Sequence, residues 1–159
     1  MTDHTIKLTL PQTAEPEGDL WPPTTEEFVM VRHLDPDTYA IAKPPIFAEY
    51  VHLNDIVYAP SKGDPALPTF ERVLQSSGYR TVRVKIADAD DAVRDAKVLL
   101  PILEELGCIT THDMRWHLTA IAVPPGAKDA ASLILASEMH AVWECNAFDK
   151  RDLRKLWTQ

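Results

Sequence analysis

The sequence predicts an α+β protein: a small, strongly bent β-sheet or half-barrel, then a ferredoxin-like βαββαβ unit and a short C-terminal helix. Two observations predict it. Ten of the 13 prolines lie in the first 71 residues, where they remove backbone donors and block helix interiors, leaving short strands and loops. From Thr81 onward, stretches of period-two and period-3.6 apolar spacing follow one another in the order β-α-β-β-α-β, the split βαβ arrangement.

Residues 1–25 are polar and proline-bearing and are expected to form a loosely held arm. A small β module is expected over residues 26–78. Within it Glu27–Arg32 reads as a strand, Leu34–Thr38 as an Asp-Pro-Asp turn, and Tyr39–Ala42 as the returning strand of a hairpin. Asp55–Ala59 and Thr69–Leu74 add two strands, parted by the turn residues Pro60–Pro65.

Residues 79–159 make the second unit. Thr81–Ile86 alternates strictly, with Val82, Val84 and Ile86 on one face and Thr81, Arg83 and Lys85 on the other. Asp88, Asp90 and Asp91 supply helix-capping oxygens and favourable negative charge. Val93, Ala96, Leu100 and Leu103 then follow at helical spacing to Gly107, and Pro101 within them predicts a kink. Cys108–Met114 and His117–Val123 read as paired strands, and Ala127–Met139 as a second helix with Ala127, Ala131, Ile134 and Leu135 in its buried stripe. Ala141–Phe148 is the last strand. Residues 149–157 form a short helix capped by Asp149, with Leu153, Leu156 and Trp157 along its apolar edge.

Charge and composition narrow the function classes. The net charge is −8, and all of it falls before Arg72, where 12 acids face Lys7, Arg32, Lys43 and Lys62. Nucleic-acid binding needs the opposite sign to displace counterions from phosphate, so a basic protein is the expected partner. No basic start with an apolar run opens the chain, and no apolar stretch nears the roughly 20 residues that span a bilayer. A cytoplasmic location without membrane contact is therefore expected. Cys108 and Cys145 are the only cysteines. They belong to opposite edge strands of the expected sheet, too far apart for a disulfide.

The chemistry-bearing side chains are few. His112 and His117, beside Asp113 at a hairpin turn, are the one pair that could converge on a metal or act in proton transfer. The ordinary reading is two surface histidines, and no cofactor or metal is expected. Arg72, Arg80 and Arg83 sit in the densest polar stretch, with Ser76 and Ser77 between them. They suit either an anion pocket or ion pairs with the acidic first segment. Neither serine lies in a nucleophile elbow, and five glycines leave no phosphate-cradling loop.

Several short runs carry a resemblance: Pro45-Ile-Phe-Ala48, Leu53-Asn-Asp-Ile-Val57, Phe70-Glu-Arg-Val73 and Ser77-Gly-Tyr-Arg-Thr-Val-Arg83. With Leu20-Trp21 ahead of the first strand, the chain resembles the bacterial domain-of-unknown-function family 4265. The resemblance implies a stand-alone cytosolic protein and carries no activity. The expected role is a non-enzymatic, immunity- or antitoxin-type protein that covers a cognate toxin. Asp35, Asp37, Glu49, Asp55 and Asp64 would supply its contact surface. An anion sensor at Arg72, Arg80 and Arg83 is the alternative, and a metal-dependent enzyme at His112 and His117 the remote one.

Overall fold

A computed structural model describes residues 4–14, 20–63, 66–86, 90–116, 118–138 and 143–145. The fold is mixed α+β and mostly strand, and it divides into two compact units, Met1–Ser77 and Gly78–Gln159.

The first unit holds a five-stranded antiparallel sheet. Its members are β1 (His4–Thr9), β4 (Glu26–Asp35), β5 (Thr38–Ile41), β6 (Ile56–Tyr58) and β7 (Arg72–Gln75), ordered β1-β4-β5-β6-β7. Two-residue strands β2 (Thr13–Ala14) and β3 (Leu20–Trp21) pair separately. The loose arm expected over residues 1–25 is corrected here, because β1 pairs along its whole length with β4. Ile6 and Leu8 alternate with polar residues and are fully buried, each worth about 2 kcal/mol of apolar transfer. That burial, together with the ladder to β4, works against the entropy cost of ordering the strand.

The sheet curls until its edges meet. Lys7 N–H donates to the Pro68 carbonyl at 2.8 Å, and Phe70 N–H donates to the Lys7 carbonyl at 2.9 Å. Val29, Val31, Tyr39, Ile41, Val51, Leu53 and Val57 fill the interior. The expected Asp-Pro-Asp turn joins β4 to β5, with Asp37 at φ +55°, a left-handed position that aspartate tolerates better than most side chains.

The second unit is a four-stranded antiparallel sheet with two helices. β8 (Arg80–Ile86) leads into α1 (Asp90–Glu105), then β9 (Ile109–Asp113), β10 (Leu118–Val123), α2 (Lys128–Glu138) and β11 (Trp143–Cys145). The spatial order is β11-β8-β10-β9. The strict alternation over Thr81–Ile86 is matched by β8, whose register with β10 runs without a break from Arg80 to Lys85. Val82, Val84, Ile121 and Val123 form one core with Leu103, Ala130, Ala131 and Ile134 of the helices. α1 runs through Pro101. Gly107 follows it at φ +91°, where a side chain would be strained.

Thr81 and Arg83, on the face away from the helix core, are themselves buried, Arg83 being 4% exposed. Every residue of β10 is buried. Cys108 is a buried free thiol. The 149–157 helix and the ends of the Ala141–Phe148 strand lie outside the described residues.

Candidate functional site

The outer face of β4 carries a row of exposed apolar side chains. Alternation along the strand turns Val29 and Val31 inward and Phe28, Met30 and Arg32 outward. Phe28 is 57% exposed and Met30 40%. Leu34, the residue at the register shift between His33 and Asp35, is also exposed. A bulge at this point re-aims the end of the strand, and the row runs into the turn bearing Asp35 and Asp37. Across residues 1–77, twelve acidic side chains face five basic ones, a net of −7.

Asp35 and Glu49 are exposed and Asp37 is half-buried. Asp37 also raises the pKa of Tyr39, second to the effect of that phenol's own burial. These three can meet a partner.

Asp55 cannot, which corrects its place in the expected contact surface. It is 2% exposed, and its carboxylate accepts His52 N–H at 2.8 Å on Oδ2 and Ser77 N–H at 2.8 Å on Oδ1. Ser77 Oγ donates to the Leu53 carbonyl at 2.6 Å. Asp55 is a brace that closes the 51–55 loop and ties it to Ser77. Asp64 lies outside the described residues.

A second braced carboxylate was missed from the sequence. Glu27, on the inward row of β4, accepts three consecutive backbone N–H groups, from Ile46 on Oε1 and from Phe47 and Ala48 on Oε2 at 3.0 and 2.9 Å. Successive N–H groups form an anion-holding concavity, and here the chain fills it with its own carboxylate. The only sequence signal was a glutamate in an inward strand position, which must find donors if buried. The loop held this way leads directly to Glu49 and Tyr50. Tyr50 Oη donates to the Thr9 carbonyl at 2.7 Å. Burial, and then the Glu27 charge, push its pKa up to about 12.

The three arginines divide between the units, Arg72 in the first and Arg80 and Arg83 in the second. Arg72 belongs to the first unit, where its guanidinium stacks 4.4 Å from the Tyr58 ring centre and lies 3.9 Å from Glu71. Arg80 and Arg83 are three residues apart on unbroken β8, so the period-two alternation sends them to opposite faces of the sheet. Arg80 donates to the Tyr79 carbonyl at 3.3 Å.

His112 is exposed, with Nδ1 2.9 Å from Thr119 Oγ1; His117 lies outside the described residues. Among the described residues, no group of three or more His, Cys, Asp or Glu side chains is placed to hold a metal ion. Among them too, no helix is long and apolar enough to cross a membrane. Burial pushes the Cys108 thiol up to about 11.

Comparison with known proteins follows the same lines. The model of a family described as "Domain of unknown function (DUF4265)" matches residues 27–141, a span that takes in the Pro45–Ala48, Leu53–Val57 and Ser77–Arg83 runs. No curated protein matches the chain. A solved structure described as a novel crystal structure of a hypothetical protein from Neisseria gonorrhoeae aligns with a TM-score of 0.64. It covers 92% of this chain and 94% of that one, at 17% sequence identity. Identity that low speaks for the fold alone.

Proposed function

The chain belongs to the family of the domain of unknown function DUF4265, and from that premise, which brings no activity, we propose that it is a protein-binding protein of the immunity or antitoxin type. Its first unit meets a basic protein, such as a cognate toxin, through the outer row of β4 and the acidic turn beside it. The observation that supports this reading is the company of Phe28, Met30 and Leu34 with Asp35 and Asp37 in a unit of net charge −7. Exposed apolar side chains flanked by like charge suit a partner that offers apolar anchors within a positive field. Glu49 extends the acidic rim. The second unit we read as ferredoxin-like, which its β11-β8-β10-β9 strand order and two crossing helices support.

The test is a matched capture. Wild-type protein and a Phe28→Asp, Met30→Asp variant are used as baits in parallel on extract of the native cell. Proteins held by the first and lost from the second are then purified and titrated against both. The expected result is a basic protein whose affinity falls about 30-fold or more in the variant and weakens with added salt. Identical captures from both baits would refute the reading.

A further inference from the structure

Strand β9 forms an edge of its sheet. It pairs with β10 on one side, and among the described residues no strand pairs with the other. An open edge offers backbone donors and acceptors to a further strand, and proteins commonly blunt it with lysine, proline or a bulge. β9 has none of these. Its five residues, Ile109-Thr-Thr-His-Asp113, include three β-branched ones, and their register with β10 runs without a shift. Ile109 and His112 are exposed.

Faces and charges say what can complete the edge. Thr110 and His112 stand opposite Ile121 and Thr119 of β10. Ile121 belongs to the helix-packed core, so Thr110 and His112 lie on the helix side of the sheet. There Thr110 Oγ1 donates to Glu104 Oε1 at 3.2 Å, which brings an exposed carboxylate from the end of α1 beside the edge. His112 turns Nδ1 toward Thr119 Oγ1 at 2.9 Å, with Nε2 on the far corner of the ring.

A second β9 can add antiparallel about a two-fold axis, helices on the same side, if the ladder centres on Thr110, Thr111 or His112. Centring on Thr110 sets two Glu104 carboxylates together, and centring on His112 sets two imidazoles together. Centring on Thr111 pairs all five residues and places Glu104 and Thr110 beside the partner's His112 at both ends. Thr111 then meets its own twin on the axis. Among the described residues, its Oγ1 is a buried oxygen with no hydrogen-bond partner, and a turn about χ1 lets one hydroxyl donate to the other. Ile109 faces the partner's Asp113, a carboxylate whose charge Arg115 balances at 3.3 Å.

We propose that β9 is a homodimerisation edge. A second copy of this chain adds its own β9 antiparallel about Thr111, joining the four-stranded sheets of the two copies edge to edge, with a Glu104–His112 contact across each end. The proposal is independent of the reading of β4.

Sedimentation equilibrium of the full chain tests it. So short an edge predicts a weak dimer, with a Kd on the order of 10–100 µM. His112→Glu and Glu104→Lys each spoil both end contacts, and each is expected to weaken self-association about 10-fold. An equimolar mixture of the two variants regains one native contact and gains one carboxylate–ammonium contact, so it should associate at least as tightly as wild type. Compensation within one chain cannot produce that result. Hydrogen exchange of wild type gives a second readout, with β9 amides slower at high concentration than at low. Wild type that stays monomeric to about 500 µM, or β9 protection that ignores concentration, would overturn the proposal. So would variants that dimerise like wild type, or a mixture that associates no better than its components. Both substituted positions are exposed, and circular dichroism shows whether each variant has folded.

Discussion

Asp55 and Glu27 answer the same physical problem in two ways. A carboxylate taken out of water must find donors, and a backbone N–H taken out of water must find an acceptor. Asp55 meets His52 and Ser77; Glu27 meets Ile46, Phe47 and Ala48. Replacing Asp55 by Asn turns an NH2 group toward one of two donors whichever way the amide lies. We expect Asp55→Asn to cost about 2 kcal/mol and Asp55→Ala about 3 kcal/mol in urea unfolding. A loss below about 0.5 kcal/mol would show that the brace is idle. Cys108 gives a prediction in pH. Its thiol is raised from 9.0 to about 11 by burial, so the native state favours the neutral form. That preference stabilises the fold fully below pH 9 and is lost as pH rises toward 11. The stability difference between wild type and Cys108→Ala should therefore shrink over that interval, and a constant difference would contradict it.

Among the elements, the Ile46–Ala48 loop and strand β1 show how far local pattern reaches. The loop is held by a side chain about 20 residues earlier, and the sequence gives no local sign of that tie. We expect Glu27→Ala to speed hydrogen exchange at the amides of Ile46, Phe47 and Ala48 by about 10-fold or more while sparing those of β8. Equal protection in the variant would remove Glu27 as the cause. Legibility followed the strength of periodicity. Strand β8 alternates over six residues without a break, and α1 repeats its apolar positions over three turns, so both could be read from the chain. β1 alternates too, at Ile6 and Leu8, but prolines at 11, 16, 22 and 23 made the opening read as an arm. Pairing with β4 decided otherwise, and pairing is a long-range fact. The site was less legible for the same reason. Which of Asp35, Asp37, Glu49 and Asp55 faces outward depends on where the curled sheet lays its loops. Asp55 looked no different from the others until its donors were in place. Arg80 and Arg83 are separable from the sequence itself, since three positions apart on a strand means opposite faces.

For the molecule as a whole, the two units divide charge unequally. The first carries nearly all of the net −8, at −7, and it also carries the exposed β4 row. If that row and its acidic turn are the recognition surface, neutralising Asp35, Asp37 and Glu49 together should slow association with a basic partner and flatten its salt dependence. The dissociation rate should change less, because rim charges steer encounter more than they hold the complex. The most direct measurement is hydrogen–deuterium exchange of the full chain, with and without the basic protein identified by matched capture. The account predicts new protection concentrated on peptides covering Glu26–Ile41, with the helices of the second unit unchanged. Protection that spares β4 and its turn while appearing elsewhere would contradict it.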